Sequence, residues 1–276
     1  MSEEKSPELM LTEATGGDTD AMKSLGKIAY ENGDFAGARR WWELAAAEGH
    51  TGAQFNLGVL TAQEGDTSGA RKWYERAAAG ENTDAMYNLG LLAYKEGDVA
   101  SARHWLQQAA NLEHKNATYN LGVLEREQGD PTAARKWFEK AAAAGDPGAM
   151  YNLGIASAER DIDSARQWYE KAAAAGHAEA MNNLGGLAAR SGDIALARRW
   201  YQQGANAGNA DAMFNLGVVA HGAGDFAGAR QWWEQAAKAG HAKATRSLGL
   251  LEAKESHGRI MSESDDAFSQ LMKIRD

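Results

Sequence analysis

The stretch TDAMYNLGLLAYKEGDVASARHWLQQAA, residues 83–110, is one copy of a repeating unit. Its Leu-Gly pair recurs with Gly at 26, 58, 90, 122, 154, 185, 217 and 249, a spacing of 32 broken once by 31 between 154 and 185. Tryptophan keeps step at Trp41, Trp73, Trp105, Trp137, Trp168, Trp200 and Trp232. A period in the low thirties is the signature of stacked helix pairs.

Counting Thr83 as position 1, the pattern predicts a helix A over about positions 2–14 and a helix B over about positions 16–29. Glycine followed by aspartate separates them at 33–34, 65–66, 97–98, 129–130, 192–193 and 224–225. The glycine supplies a left-handed residue after helix A, and the aspartate caps the free N–H groups of helix B. The fifth copy has Arg160-Asp161 instead and has lost one residue, so a tighter or distorted turn is expected there. The third copy ends helix B with Asn111-Leu112-Glu113-His114 and has no glycine.

The array reads as an all-α, right-handed superhelical solenoid of antiparallel helix pairs. Residues 1–17 form an N-terminal cap, in which 6–15 match the tail of a helix B. Residues 18–254 hold seven full pairs and an eighth helix A. Residues 255–276 form a C-terminal cap, with Phe268, Leu271 and Met272 on one helical face within 262–274. A stacked core needs such covers at its ends.

Composition narrows the function. The chain has no cysteine, which removes thiolate catalysis, thiolate metal sites and disulfides. A formal net charge of −9 opposes binding to a phosphate backbone, so nucleic acid is not an expected partner. No stretch approaches the ~20 apolar residues of a membrane span, and the charged N-terminus does not read as a signal peptide. The expectation is a cytoplasmic protein that does not insert into membranes. Metalloprotease, phosphate-loop and serine-hydrolase motifs are absent, and the histidines at His50, His177 and His241 fall at the same turn of different repeats. No enzyme, cofactor or metal is therefore expected. Glu125 puts an acid on the core arc of the fourth copy, which alone makes no site.

The pattern A-x-x-x-L-G, then G-D, then A-R-x-W-Y-x-x-A-A-x-x-G resembles tetratricopeptide repeats over about residues 18–254. Its W-Y, A-A and G-H elements resemble the Sel-one-like subclass, although the A–B loop here has the shorter tetratricopeptide length. The resemblance implies an adaptor or scaffold that binds a protein or peptide, with helix A lining a concave side.

On helix A, positions 3, 4, 7, 8, 10 and 11 form one apolar arc, in the third copy Ala85, Met86, Leu89, Gly90, Leu92 and Ala93. A mid-helix glycine costs about 1 kcal/mol relative to alanine. Its repetition at position 8 therefore implies close approach of helix B, with Ala70, Ala102 and their equivalents expected opposite. The tryptophans all fall on helix B, where packing between helices is the expected role.

The opposite arc is not an ordinary solvated face. Position 6 is Asn56, Asn88, Asn120, Asn152, Asn183 and Asn215, replaced only at the ends by Ser24 and Ser247. Position 5 is aromatic at Phe55, Tyr87, Tyr119, Tyr151 and Phe214, and position 9 is apolar at Val59, Leu91, Val123, Ile155, Val218 and Leu250. An asparagine amide donates and accepts, so a row of them can hold an extended peptide backbone. The row resembles the peptide-binding repeats of O-linked N-acetylglucosamine transferase. The candidate peptide site is the asparagine row with Tyr87, Tyr119, Tyr151 and Val123. The other reading is that asparagine bonds to the adjacent helix A and positions 5 and 9 pack between repeats, in a structural or self-assembling array without a dedicated ligand. Chaperone-tail binders of this family clamp a carboxylate with cations beside such an Asn; here cations stand at position 5 only in the end copies, as Lys23 and Arg246. Acids at position 2 (Asp20, Asp84, Glu179, Asp211) point away from a strongly acidic ligand. Arginine at position 21 is followed four residues on by Glu43, Glu75, Glu139, Glu170 or Glu234, which predicts i,i+4 pairs on a solvated face of helix B.

Overall fold

Each repeat folds into two helices because its turn residues stop one helix and start the next. In the computed structural model, which describes residues 6–253, Gly33, Gly65, Gly97, Gly129, Gly192 and Gly224 adopt φ between 78° and 87° immediately before a capping aspartate. That aspartate accepts an N–H from the first turn of helix B, as in Asp34 to Gly37 at 2.8 Å, Asp98 to Ser101 at 3.0 Å and Asp225 to Gly228 at 2.8 Å. The caps hold the carboxyls of Asp98 and Asp161 below the usual aspartate range, chiefly through bonds from Ser101 and Ser164.

The chain divides into two compact units at Ala144 and Gly145. In the first, helix α1 (Pro7–Thr15) packs on α2 (Thr19–Glu31), and four helix pairs follow: α2 with α3 (Phe35–Ala47), α4 (Thr51–Gln63) with α5 (Thr67–Ala79), α6 (Thr83–Lys95) with α7 (Val99–Asn111), and α8 (Lys115–Glu127) with α9 (Pro131–Ala143). The second unit has three pairs: α10 (Pro147–Ser157) with α11 (Ile162–Ala174), α12 (Ala178–Arg190) with α13 (Ile194–Asn206), and α14 (Ala210–Gly222) with α15 (Phe226–Lys238). A further helix begins at 242 and continues to 253. The described residues contain no strand. The C-terminal cap expected over 255–276 lies outside the described residues.

The missing residue of the fifth repeat is taken out of helix A. Helix α10 has 11 residues where the other first helices have 13, and its chain turns through Asp161 N–H to Ser157 O at 2.8 Å. At the opposite turn, Gly49, Gly145, Gly176, Gly208 and Gly240 are left-handed, with φ of 83–88°. Glu81 and Glu113 hold the same conformation there, with φ of 61° and 62°.

The glycine at position 8 does make a close contact, but its partner differs from the expected alanine. A Cβ on Gly58 would stand 2.5 Å from Tyr74 Cε1, on Gly122 2.7 Å from Phe138 Cδ1, and on Gly217 2.3 Å from Trp233 Nε1. The facing residue is the large side chain at position 24, buried in every pair from Trp42 to Trp233. Alanines such as Ala70 and Ala102 are fully buried, but the three atoms nearest the added Cβ on Gly58 and Gly90 belong to Tyr74 and Leu106. The tryptophans at position 23 are half-buried, and Trp41, Trp73, Trp105, Trp137, Trp200 and Trp232 pack against the core clusters.

Candidate functional site

The asparagine row lies half-buried along the first helices, with Asn56 on α4, Asn88 on α6, Asn120 on α8, Asn183 on α12 and Asn215 on α14. Asn152 on α10 is only 8% exposed and donates to Gly148 O in its own helix at 2.8 Å. The row is tied to the preceding repeat. Asn120 Nδ2 donates to the Tyr87 hydroxyl at 2.9 Å, and Asn215 Nδ2 to Asn182 Oδ1 at 2.8 Å. Asn88 lies close enough to the Tyr74 hydroxyl, and Asn183 to those of Tyr151 and Tyr169, to lower their pKa values. Burial raises all three tyrosines above the usual value, and the asparagines offset part of that rise. Each such bond spends one amide N–H and leaves the second N–H and the carbonyl of Asn120 and Asn215 with capacity to bond.

The aromatic row at position 5 faces two ways. Tyr119 and Tyr151 lie 5.9 Å from the rings of Phe138 and Tyr169 in their own repeats. Tyr87, Tyr151 and Phe214 stack on His114, His177 and His241 at centroid distances of 4.7, 4.5 and 4.4 Å. These histidines, with His50, are the N-caps of the next first helix. His114 Nδ1 accepts the Ala117 N–H at 3.1 Å, so its proton sits on Nε2, 3.2 Å from Asp84 Oδ1. His50 repeats this with Asp20 at 3.0 Å, and His241 with Asp211 at 3.1 Å. The position-2 acids thus hold the caps of the following repeat. His177 departs, with Nδ1 3.3 Å from Glu179 of its own helix.

Position 9 is open in four of the repeats, whereas Val59 packs against the core. Leu91 is 36% exposed, Ile155 45%, Val218 47% and Leu250 67%. Val123 is half-buried and lines a cavity of about 130 Å³ with Leu91, Tyr94 and Asn120.

The arginine row also differs from expectation. Among the described residues, Arg135 makes the i,i+4 pair, to Glu139 at 2.8 Å. Arg39, Arg71, Arg103 and Arg230 reach forward to Glu64, Glu96, Glu125 and Glu252 of the next repeat. Glu125 is buried and accepts both Arg103 Nε at 2.6 Å and Nη2 at 3.0 Å, which accounts for an acid on the core arc.

Family models agree with this geometry. Tetratricopeptide repeat models match residues 23–84, 87–149 and 210–235, and the Sel1 repeat model matches 147–177 and 178–209. The chain belongs to the tetratricopeptide and Sel1 repeat proteins. Among solved structures, this repeat protein is similar to c5321, a protective antigen of uropathogenic Escherichia coli with an SLR fold, at 26% identity and TM-score 0.78 over 92% of the chain. It spans 61% of that antigen's length. A Sel1 repeat protein from Oxalobacter formigenes matches at 26% identity and TM-score 0.72, over 91% of this chain and 83% of the other. Yeast Tom70, at 13% identity and TM-score 0.57 over 91% of this chain and 58% of its own, shares the fold alone. No curated protein matches the chain in sequence. Tetratricopeptide and Sel1 repeats are in general scaffolds for protein–protein interaction and typically non-enzymatic. Among the described residues of this repeat protein, no group of three or more acids and histidines is placed to hold a metal, and no helix is long and apolar enough to cross a membrane.

Proposed function

We propose that the protein is a binding scaffold that holds an extended segment of a partner protein against the first helices of its repeats. The observation that carries this is the exposed apolar row at position 9, which runs beside asparagines with unspent donors and acceptors. Leu91 and Val123 would take apolar side chains of a segment lying along the first unit, and Ile155, Val218 and Leu250 those of a segment lying along the second. Asn56, Asn88, Asn120, Asn183 and Asn215 would bond its backbone without reading sequence. Asn152 is buried against its own helix and is assigned no contact.

A second reading has its own support. The bonds from Asn120 to Tyr87 and from Asn215 to Asn182 are what a purely structural ladder would make. The two separate in a selection of random peptides on the full chain and on the variant Leu91→Ser/Ile155→Ser/Val218→Ser. These side chains are exposed, so the variant keeps its helicity by circular dichroism. The scaffold reading expects peptides enriched on the parent and lost on the variant. Peptides bound equally by both, or none by either, would favour the structural reading.

A further inference from the structure

We infer that the cavity between the sixth and seventh repeats is a specificity pocket for one acidic side chain of the bound segment, with Arg198 as its counter-charge. The inference rests on the peptide-binding reading above and deepens it.

The array supplies its own controls. The position-21 arginines are paired at Arg39, Arg71, Arg103 and Arg230 by an acid at position 14 or 11 of the following repeat. Arg135 instead uses Glu139, four residues on, and Arg166 uses Asp163, three residues back. Around Arg198 all four places are neutral: Ala220 and Ala223 in the following helix region, Gln202 four residues on, and Ala195 three residues back. Arg198 is exposed and has no acidic partner among the described residues.

Space opens at the same register. Between the third and fourth repeats, Tyr94 donates its hydroxyl to Glu127 at 2.6 Å, and the cavity beside them is about 130 Å³. Between the sixth and seventh, Ala189 replaces the tyrosine and Gly222 the glutamate. The result is a cavity of about 600 Å³ lined by Ala189, Ile194, Arg198, Asn215, Val218 and Ala223. Loss of a bulky lid and loss of the acid therefore coincide at one repeat junction, which also carries members of the asparagine and position-9 rows.

The chemistry defines the occupant. A guanidinium fork takes a carboxylate through two parallel N–H bonds, as Arg103 takes Glu125. Ile194 and Val218, 50% and 47% exposed, flank that charge with apolar surface. The pocket therefore fits an aspartate or glutamate next to an apolar residue. A single acid is also what a scaffold of net charge −9 tolerates, whereas a run of acids would be repelled.

The test is the same random-peptide selection on the full chain, repeated on Ala223→Glu and on Arg198→Ala. Ala223→Glu restores the acid that Glu64 supplies to Arg39, and neither change touches the core. On the parent chain, an acidic residue beside an apolar one should be enriched. The selected peptide should bind about tenfold tighter than its amide counterpart (Gln for Glu, Asn for Asp). Both variants should bind the two peptides equally. Enriched peptides with no acidic preference, or a preference that survives Ala223→Glu, would overturn the pocket. If such peptides still depend on Leu91 and Val218, the scaffold reading stands without it; if no peptide is enriched at all, both fall.

Discussion

The imidazole of His114 lies nearly flat on the ring of Tyr87, with centroids 4.7 Å apart and planes 24° from parallel. The same ring accepts a bond from Asn120 at its hydroxyl. One tyrosine therefore joins two features of the following repeat, its helix cap and its asparagine. The stacks of His177 on Tyr151 and His241 on Phe214 repeat the device in the second unit. Tyr87, Tyr151 and Phe214 thus join neighbouring repeats, while Leu91, Ile155 and Val218 at position 9 stay exposed.

His114→Asn tests that coupling. Asn82 shows that asparagine can cap the same site, accepting the Ala85 N–H at 2.9 Å. The substitution should keep the cap and lose only the stack and the Asp84 contact, at a cost of about 1 kcal/mol. Urea denaturation measures it, and a double-mutant cycle with Tyr87→Leu should show coupling between the two rings.

Gly185 and Gly186 are neighbours with opposite expectations. A Cβ on Gly185 meets Tyr201 Cδ1 at 2.5 Å, whereas on Gly186 the nearest packed atom is the Tyr201 hydroxyl at 3.9 Å. Gly186→Ala should stabilise by about 1 kcal/mol through helix propensity alone. Gly185→Ala should destabilise, because overpacking costs ~1–3 kcal/mol and outweighs that gain. Thermal melts of the two variants decide it.

Glu81 and Glu113 carry the left-handed backbone that glycine carries at the other turns of this type. Side chains pay roughly 1–2 kcal/mol for that conformation, and glycine gives part of it back as chain entropy. Glu81→Gly and Glu113→Gly should each stabilise by about 1 kcal/mol, while Glu113→Ala should not. Chemical denaturation of the three variants provides the comparison.

Arg103→Ala and Arg198→Ala remove the same residue from equivalent places. The first strands the buried carboxylate of Glu125 and should cost about 1–2 kcal/mol, less than for a fully buried pair because the Arg103 side chain is 41% exposed. The second removes an unpaired, exposed cation and should leave the melting temperature unchanged.

Much of this was legible in the sequence. The 32-residue spacing, the Gly-Asp turns and the shortened fifth repeat gave the helix pairs, because local capping chemistry decides them. The position-8 glycines were readable as a close approach, but not their partner. Position 24 varies among Trp, Tyr, Leu and Phe, so it stood out less than the constant alanines, although it alone has the reach to cover a bare backbone. Contacts between repeats were the harder part. The arginine pairs looked local because an acid lies four residues on, whereas the structure sends most of them a repeat forward. The histidine caps did leave a signal: Asp20 and His50, Asp84 and His114, and Asp211 and His241 are each 30 residues apart, an acid at the start of a repeat answered by an imidazole at its end.

The most direct test of the central claim is to locate a bound peptide. A photo-crosslinking phenylalanine derivative placed at Leu91 or at Val218, both exposed on first helices, should trap a selected peptide under illumination. The same probe at Lys72, exposed on a second helix, should not. Crosslinks from 91 and 218 alone are the predicted result. Crosslinks from 72 with none from 91 or 218 would place the partner on the second helices and contradict the account.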